Sequence, residues 1–340
     1  MRRLTVALLA FAAYWYPAPA VAQDSPLDPR EWNVPWDNTR PRDPVADQSG
    51  RVWFVGQRGN YIAYLDPRSG EFKRYEIADG THPHNIVVDE KGGIWYTGNR
   101  NGRIVQLDPA NGQLKTIMMP DSTIRDPHTM IWGSNGVAWF TAQGAGAVGR
   151  LDRATGEVKI WRTGQRTRPY GIVVDANDRP WFDLFGTNKI GTIDPKTLEL
   201  KEYTIPEERA RPRRIAVTTD GGVWWGDYSR GMLGRLDPAS GKIEEWALPS
   251  GARSLPYAMT VDDQDRLWLV ETGVNPNKLV AFDAKTRQFV ANIPIMSNGA
   301  ERNTVRHMTF DKASRKIWFG TDAGTIGGVT IPVEIPKIVP

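Results

Sequence analysis

Short apolar runs separated by tight-turn residues recur along the chain. One unit reads Ile86-Val87-Val88, then Gly92-Gly93, then Ile94-Trp95-Tyr96, and it ends in an Asp-Pro turn at Asp108-Pro109. In such turns Asp accepts backbone hydrogen bonds, Pro presets φ, and a following Gly adopts the left-handed conformation. Each unit is therefore predicted to contain four strands, and its apolar first strand is predicted to lie innermost, where both faces are buried.

A tryptophan followed by a bulky apolar residue marks each unit. The seven pairs are Trp53-Phe54, Trp95-Tyr96, Trp139-Phe140, Trp181-Phe182, Trp224-Trp225, Trp268-Leu269 and Trp318-Phe319. Successive tryptophans are 42, 44, 42, 43, 44 and 50 residues apart. This period matches one four-stranded propeller blade. The sequence predicts an all-β, seven-bladed β-propeller with tryptophans packed between its blades.

The last unit lacks an outer strand of its own. Every other unit has one, and residues 30–35 supply a spare strand before the first unit. We expect this N-terminal strand to complete blade seven, because a closed ring has no exposed sheet edge. The C-terminal residues 332–340 are the competing candidate.

The first 22 residues resemble a secretory signal peptide. Two arginines precede the apolar run 4–16, and the small residues Ala20-Val21-Ala22 suggest cleavage after Ala22. A membrane anchor is the alternative, although the apolar run is short. Residues 23–340 would then be one propeller domain. The chain has no cysteine, so it has neither disulfides nor thiolate metal ligands. An export signal without cysteine predicts a periplasmic or secreted protein with no membrane anchor after cleavage.

Charge is distributed unevenly. The net charge of +4 is too small for a nucleic-acid-binding surface. The loops that enter the innermost strands, however, contain twelve arginines, eight acidic residues and no lysine. Arginine offers a planar fork for carboxylate, phosphate or sulfate groups. These loops therefore predict a face that binds an anionic small molecule, unless the arginines form solvated ion pairs with Asp126, Glu207, Glu208 and Glu301.

One position in each entering loop is predicted to face the central channel. It follows the recurring proline, and its residues, here called the rim, are Arg42, His84, His128, Tyr170, Arg213, Tyr257 and Arg306. The loops between second and third strands should open on the same face of the ring. They should bring seven more side chains toward the channel mouth: Arg58, Asn99, Gln143, Asp183, Asp227, Glu271 and Asp322. In such a ring the carboxylates could bind a hard cation, and the histidine, tyrosine and arginine side chains could bind a ligand. Polar rings of this kind also serve to satisfy strand ends and channel water.

The repeated motifs resemble the streptogramin B lyase (virginiamycin B lyase) family. They include Pro169-Tyr170-Gly171-Ile172, Asn188-Lys189-Ile190-Gly191 and the Gly-x-[Ile/Val]-Trp units, and the resemblance covers nearly the whole chain after residue 22. It implies a seven-bladed propeller that opens a cyclic depsipeptide ester by Mg-dependent elimination. It also implies a histidine base in the last blade and a nearby acidic metal ligand.

The catalytic pattern of that family is matched only in part. The metal-binding glutamate corresponds to Asp322, and the base corresponds to Arg306, which stays protonated at working pH. His307 is adjacent to Arg306, and a bulge would be needed to turn it toward the same side. The family's second histidine corresponds to Tyr257, and Glu271 matches a recurrent acidic position.

Two functions follow, with a third less favoured. The first is a carbon–oxygen lyase that opens an ester or lactone, with His307, His84 or His128 as the base. Under this hypothesis Arg306 stabilises the developing oxyanion, and Asp322 and Glu271 bind Mg. Substrate would contact Tyr170, Arg213, Tyr257, Arg42 and Asn99. The second is a non-catalytic, monomeric propeller that binds an anionic ligand or a protein. The third is a lactonase-type hydrolase.

Overall fold

The structure is a computed structural model that describes residues 27–296 and 303–335. Within these ranges, seven four-stranded antiparallel sheets form a ring, and the only helix is a 3-10 turn at Gly251–Arg253. Neighbouring sheets meet through their first strands around the whole ring. The predicted seven-bladed propeller is therefore confirmed.

Strands are numbered along the chain, and those of the first six blades are given from the channel outward. Blades one to three contain β2 (Pro41–Ala46), β3 (Val52–Gly56), β4 (Tyr61–Asp66), β5 (Glu71–Glu76), β6 (Pro83–Val88), β7 (Ile94–Gly98), β8 (Arg103–Leu107), β9 (Leu114–Met118), β10 (Pro127–Trp132), β11 (Val137–Ala142), β12 (Ala147–Asp152) and β13 (Val158–Arg162). Blades four to six contain β14 (Pro169–Val174), β15 (Pro180–Leu184), β16 (Lys189–Ile193), β17 (Leu200–Thr204), β18 (Pro212–Val217), β19 (Val223–Asp227), β20 (Met232–Leu236), β21 (Ile243–Ala247), β22 (Pro256–Val261), β23 (Arg266–Glu271), β24 (Asn277–Asp283) and β25 (Gln288–Ile295).

Blade seven is completed by the N-terminal strand. Its own strands are β26 (Val305–Asp311), β27 (Lys316–Thr321) and β28 (Thr325–Thr330), and β1 (Arg30–Asn33) pairs antiparallel with β28. The expected closure is confirmed: the edge that β28 would otherwise expose is paired. The C-terminal segment takes no part in this sheet as far as Ile335, the last described residue. Residues 1–22 lie outside the described ranges, and the signal peptide stays a prediction. No helix among the described residues has the length and apolarity needed to span a bilayer.

The repeated tryptophans fill the spaces between blades. All seven are at most 3% exposed. Several are also oriented by a carboxylate six residues earlier: Asp47, Asp89, Asp175 and Asp262 each accept a hydrogen bond from an indole N–H. The acceptor anchors the start of the turn as well, since Asp262 also accepts the backbone N–H groups of Gln264 and Arg266. One side chain therefore links the turn between the first two strands to the core between blades.

Every innermost strand contains a β-bulge directly after its entering loop. In β26 the register with β27 shifts between Val305 and Met308, and the other six first strands shift at the equivalent place. A bulge places two residues opposite one and bends the strand. In six blades the rim residue and its successor lie within this bulge, and in blade one the bulge directly follows Arg42, so the repeated irregularity positions the candidate site.

Candidate functional site

The rim side chains meet at the channel mouth, as the sequence predicts. The rings of His84 and His128 are 3.5 Å apart, and those of His128 and Tyr170 are 4.4 Å apart. Tyr170 bonds through its hydroxyl to the hydroxyl of Tyr257, and Arg306 Nη1 lies 3.4 Å from the same Tyr257 oxygen. Five blades thus contribute side chains to a single cluster at the mouth.

The two rim histidines are neutral. Both are 3% exposed. Burial is the main reason that the pKa of each imidazole lies well below its ordinary value, and nearby arginines lower it further. His128 Nδ1 lies 2.9 Å from Thr129 Oγ1, whereas His84 Nδ1 has no hydrogen-bond partner among the described residues. Neutral rings stacked in this way make poor proton acceptors, because the charged form would be buried beside cations.

The paired tyrosines have unequal acidities. Burial alone would raise the pKa of the Tyr257 hydroxyl, but the positive charges of Arg42, Arg213 and Arg306 outweigh it and lower this pKa to about 7. The pKa of Tyr170 is raised by burial and by the adjacent Tyr257 oxygen. Near neutral pH the pair therefore begins to lose a proton, and it is Tyr257 that becomes negatively charged, with Tyr170 as its hydrogen-bond donor.

Arg213 lies among four aromatic rings. Its guanidinium carbon is 3.5 Å from the Tyr257 ring centre, 4.4 Å from Tyr228, 4.6 Å from Phe185 and 5.0 Å from Tyr170. Such cation–π contacts hold the side chain over the tyrosine pair. Arg213 Nε has no hydrogen-bond partner among the described residues.

Phe185 and Tyr228 are site residues that the sequence reasoning missed. It pointed to Asp183 and Asp227 instead, whose carboxylates are fully buried and bonded within the protein. Asp183 accepts the Gly171 N–H at 2.9 Å, and burial raises its pKa to about 8 despite that bond. The signal that finds the correct residues is the fourth position after each repeated tryptophan, which is Phe185 in blade four and Tyr228 in blade five.

Arg306 is held by Asp322. Its Nε and Nη2 donate to the carboxylate at 3.0 and 2.6 Å, and Arg40 Nε approaches the same group at 3.4 Å. Although burial opposes it, the adjacent Arg306 lowers the pKa of Asp322. Asp322 therefore stays ionised and serves as a counter-ion for two arginines.

Glu271 lies in a different environment from Asp322. It is fully buried and accepts from the Ser250 N–H at 2.8 Å, Ser250 Oγ at 2.6 Å and Ser254 Oγ at 2.9 Å. These bonds fasten the loop that enters blade six. No group of three or more His, Asp or Glu side chains within the described ranges is arranged to hold a metal ion. As placed, Asp322 and Glu271 do not fit a magnesium site, because donors of this chain already engage both carboxylates.

His307 points away from the tyrosine pair. Although it shares the β26 bulge with Arg306, it lines a cavity of about 400 Å³ enclosed by the apolar inner strands. Burial is the main cause that lowers its pKa to about 3, and the nearby carboxylate of Asp43 only partly offsets it. The bulge therefore does not bring His307 to the base position beside Arg306.

A second layer of polar residues lies under the rim. Arg214 donates to the Arg306 carbonyl at 3.1 Å and to Thr129 Oγ1 at 3.2 Å. Asp43, 1% exposed, accepts from Asn85 at 3.0 Å. Burial would raise the Asp43 pKa, but His307, Arg42 and Arg214 outweigh it and lower that pKa. His307 is uncharged at neutral pH, so at that pH it is the positive charges of Arg42 and Arg214 that lower the pKa of Asp43.

Positive charge exceeds negative charge at the mouth. Five arginines are faced by two ionised carboxylates, and the residues concerned are Arg40, Arg42, Arg213, Arg214, Arg306, Asp43 and Asp322. Arg42 is 6% exposed, and its Nε and Nη2 have no hydrogen-bond partner among the described residues. Solvated ion pairing does occur on this face, as between Arg209 and Glu207 at 3.3 Å, but it does not neutralise the mouth.

Asn99 lies farther from the channel than predicted. Its amide donates to the Pro127 carbonyl at 3.3 Å, and the residue lines a separate pocket with Arg40, Arg58 and Arg100. It therefore belongs to a neighbouring part of the same face.

The fold and site define a propeller whose mouth is built from arginine, tyrosine and neutral histidine. The chain belongs to the Virginiamycin B lyase family, whose model matches residues 27–329. A streptogramin B lyase structure is 25% identical, with a TM-score of 0.78 over 88% of this chain and 96% of that one.

More distant structures share the fold. Virginiamycin B lyase from Staphylococcus aureus is 23% identical, with a TM-score of 0.80 over 90% of this chain and 99% of that one. Kuenenia stuttgartiensis hydrazine synthase is 14% identical, with a TM-score of 0.71 over 88% of this chain and 98% of that one. No curated protein matches the sequence significantly.

Proposed function

We propose that this protein is a carbon–oxygen lyase that opens an ester or lactone by elimination and uses Tyr257 as its base. One observation carries the proposal: the Tyr257 hydroxyl is bonded to Tyr170 and surrounded by arginines that favour its ionised form. A tyrosine hydroxyl whose pKa lies near neutral pH can act, in its ionised form, as the base that removes a proton from the carbon α to a carbonyl. The family relationship supports elimination as the reaction class.

The reaction balances without water. Tyr257 takes the proton on the carbon α to the carbonyl, and the C–H electrons form a carbon–carbon double bond as the β C–O bond breaks. The leaving oxygen keeps the electron pair of that bond. Negative charge develops on the carbonyl oxygen during proton removal, and we assign to it Arg42 Nη2, which has no hydrogen-bond partner among the described residues, as the donor.

Arg213 and Arg306 have positioning roles in this proposal. Arg213 packs on the Tyr257 ring, and Arg306, anchored by Asp322, lies beside the Tyr257 oxygen. Their charge also favours a substrate that carries an anionic group. No step is assigned to magnesium, because Arg306 binds Asp322 and the hydroxyls of Ser250 and Ser254 bind Glu271. A magnesium requirement stays a prediction. We further propose that the protein acts outside the cytoplasm as a monomer, on the basis of residues 1–22 and the closed ring.

The test of the reaction is chromatography with mass spectrometry. Purified protein is incubated with a streptogramin B-type depsipeptide and with simpler β-acyloxy esters, with and without chelator. A ring-opened product of unchanged mass that carries a new double bond is expected, since elimination adds no water. A product heavier by one water would instead indicate the lactonase-type hydrolase.

Binding without turnover is the second candidate. It is favoured by the fact that Asp322, Glu271 and His307 do not assemble into the catalytic group that the resemblance implies. Intact esters, together with binding of anionic ligands that weakens steeply with salt and on Arg213→Ala, would support this candidate over the lyase.

The rate of the proposed reaction should depend on pH through Tyr257. Because a base acts in its deprotonated form, kcat/KM is expected to be low below pH about 7 and to rise to a plateau above it. Tyr170→Phe removes the hydrogen bond that stabilises the ionised form, so the rise should move to higher pH. Measured pH profiles of both proteins check this; a flat profile between about pH 5 and 9 would contradict the tyrosine base.

A further inference from the structure

A second pocket opens on the same face, between blades one and two. It has a volume of about 410 Å³, and its lining includes Asn38, Arg40, Gln57, Arg58, Asn99 and Arg100. We call it the blade 1–2 pocket. Two contacts tie its inner wall to the channel mouth: Gln57 accepts from Arg42 at 3.3 Å, and Arg40 reaches Asp322 at 3.4 Å. The pocket adjoins the candidate active site but does not include the tyrosine pair.

Arg58 and Arg100 occupy equivalent positions in neighbouring blades. Each is the fifth residue after its blade's repeated tryptophan, whereas the other five blades have only small residues there, namely Gly144, Gly186, Ser229, Gly273 and Ala323. Two long cationic side chains thus occur in adjacent blades, at a position that is otherwise small.

The loops explain why blades four and six have glycine at this position. A Cβ added at Gly186 would lie 1.9 Å from the Arg166 carbonyl oxygen, and one at Gly273 would lie 2.0 Å from that of Arg253. In those blades the loop between second and third strands packs directly against the entering loop. In blade one the two loops are also bonded, Arg58 N–H to the Thr39 carbonyl at 3.2 Å, yet the backbone there accommodates a large side chain, and Arg58 and Arg100 both line the pocket.

The pocket is basic and rich in amides. Its described lining contains no carboxylate. The guanidinium groups of Arg58 and Arg100 form no ion pair with any described residue. Asn38, Gln57 and Asn99 add amide donors and acceptors of the kind that recognise hydroxyl groups. The volume lies within the range of small-molecule sites.

We propose that the blade 1–2 pocket binds a hydroxylated oxyanion such as a sugar acid or sugar phosphate. Its carboxylate or phosphate would bind Arg58 and Arg100, whose forked donors suit either group. Its hydroxyl groups would bond to the amides. The proposal does not depend on the lyase reaction, because no atom of the pocket acts as base.

Calorimetric titration of the full protein with glucuronate, glucose 6-phosphate and glucose tests the proposal. At least one anion is expected to bind, with neutral glucose about tenfold weaker or undetectable, and added salt should weaken the binding. Comparing the two anions distinguishes a carboxylate site from a phosphate site. Equal binding of glucose and both anions, or no binding of any of them, would overturn the proposal.

Arginine variants locate the bound anion. Arg58→Ala and Arg100→Ala should each weaken the binding by about tenfold, the usual cost of losing a charge-assisted hydrogen bond. Arg166→Ala, at an exposed arginine in the entering loop of blade four, is the matched control and should bind as the parent does. Tyr257→Phe should also keep the affinity. Loss of binding in Tyr257→Phe, with none in Arg58→Ala and Arg100→Ala, would place the anion at the channel mouth and refute the pocket.

Discussion

Replacing Tyr257 with phenylalanine is expected to reduce kcat of the proposed elimination by about 10²–10⁴-fold, the usual contribution of a positioned base. The substitution removes only the oxygen that bonds to Tyr170 and lies near Arg306. The ring remains under Arg213, so the aromatic packing and the fold should be kept. Steady-state kinetics with the ester substrate measure the effect, and KM should change much less than kcat.

Tyr203→Phe is the matched control for this experiment. Tyr203 lies on outer strand β17 and packs on Trp181, away from the mouth, so the variant should retain full turnover. His307→Ala separates the two candidate bases. Turnover that survives Tyr257→Phe and disappears in His307→Ala would return the base assignment to His307 and refute the tyrosine mechanism.

Asp262→Ala is expected to lower the free energy of unfolding by about 3–5 kcal/mol, because it leaves a buried cation unpaired. Asp262 Oδ2 accepts from Arg266 Nε at 2.6 Å and from the Trp268 indole at 2.9 Å. Arg266 also binds the carbonyls of Pro332 and Val333, so the C-terminal segment should loosen with it. Urea unfolding followed by tryptophan fluorescence measures the change.

The neighbouring Asp263 provides the control. It pairs with Arg315 at 2.6 Å, but both side chains are partly exposed, so Asp263→Ala should cost about 0–1 kcal/mol. Equal losses in the two variants would show that burial of the Asp262 network adds nothing to its stabilising effect.

Much of the fold is readable from the sequence, because blades repeat. Trp53, Trp95 and their five equivalents mark blade spacing directly, and the missing outer strand of the last unit predicts that residues 30–35 pair with it. The spacing of apolar residues indicates which positions are buried, and in a propeller the same positions are buried in every blade, so the pattern repeats along the chain.

The candidate site is less predictable. The rim positions follow from the recurring proline, and the structure brings them together. Phe185 and Tyr228 were missed because acidic residues just before them were chosen instead, although every second strand ends three residues after its repeated tryptophan and in blades four and five the next residue is the one at the mouth. His307 was considered as a base because a bulge could turn it toward the side of Arg306; the bulge is present, but His307 lines the inner cavity instead. Glu271 was assigned to a metal, but Ser250 and Ser254 engage it.

The sequence by itself determined the number of blades, the order of strands, the closing strand and the arginine-rich face. Each of these follows from local patterns that repeat along the chain or from the composition of its loops. Only the tertiary structure decided which polar groups meet. The acidity of Tyr257 arises from Arg42, Arg213 and Arg306, which come from three different blades. Electrostatic effects depend on distance and burial in space, and neither can be read from positions along the chain.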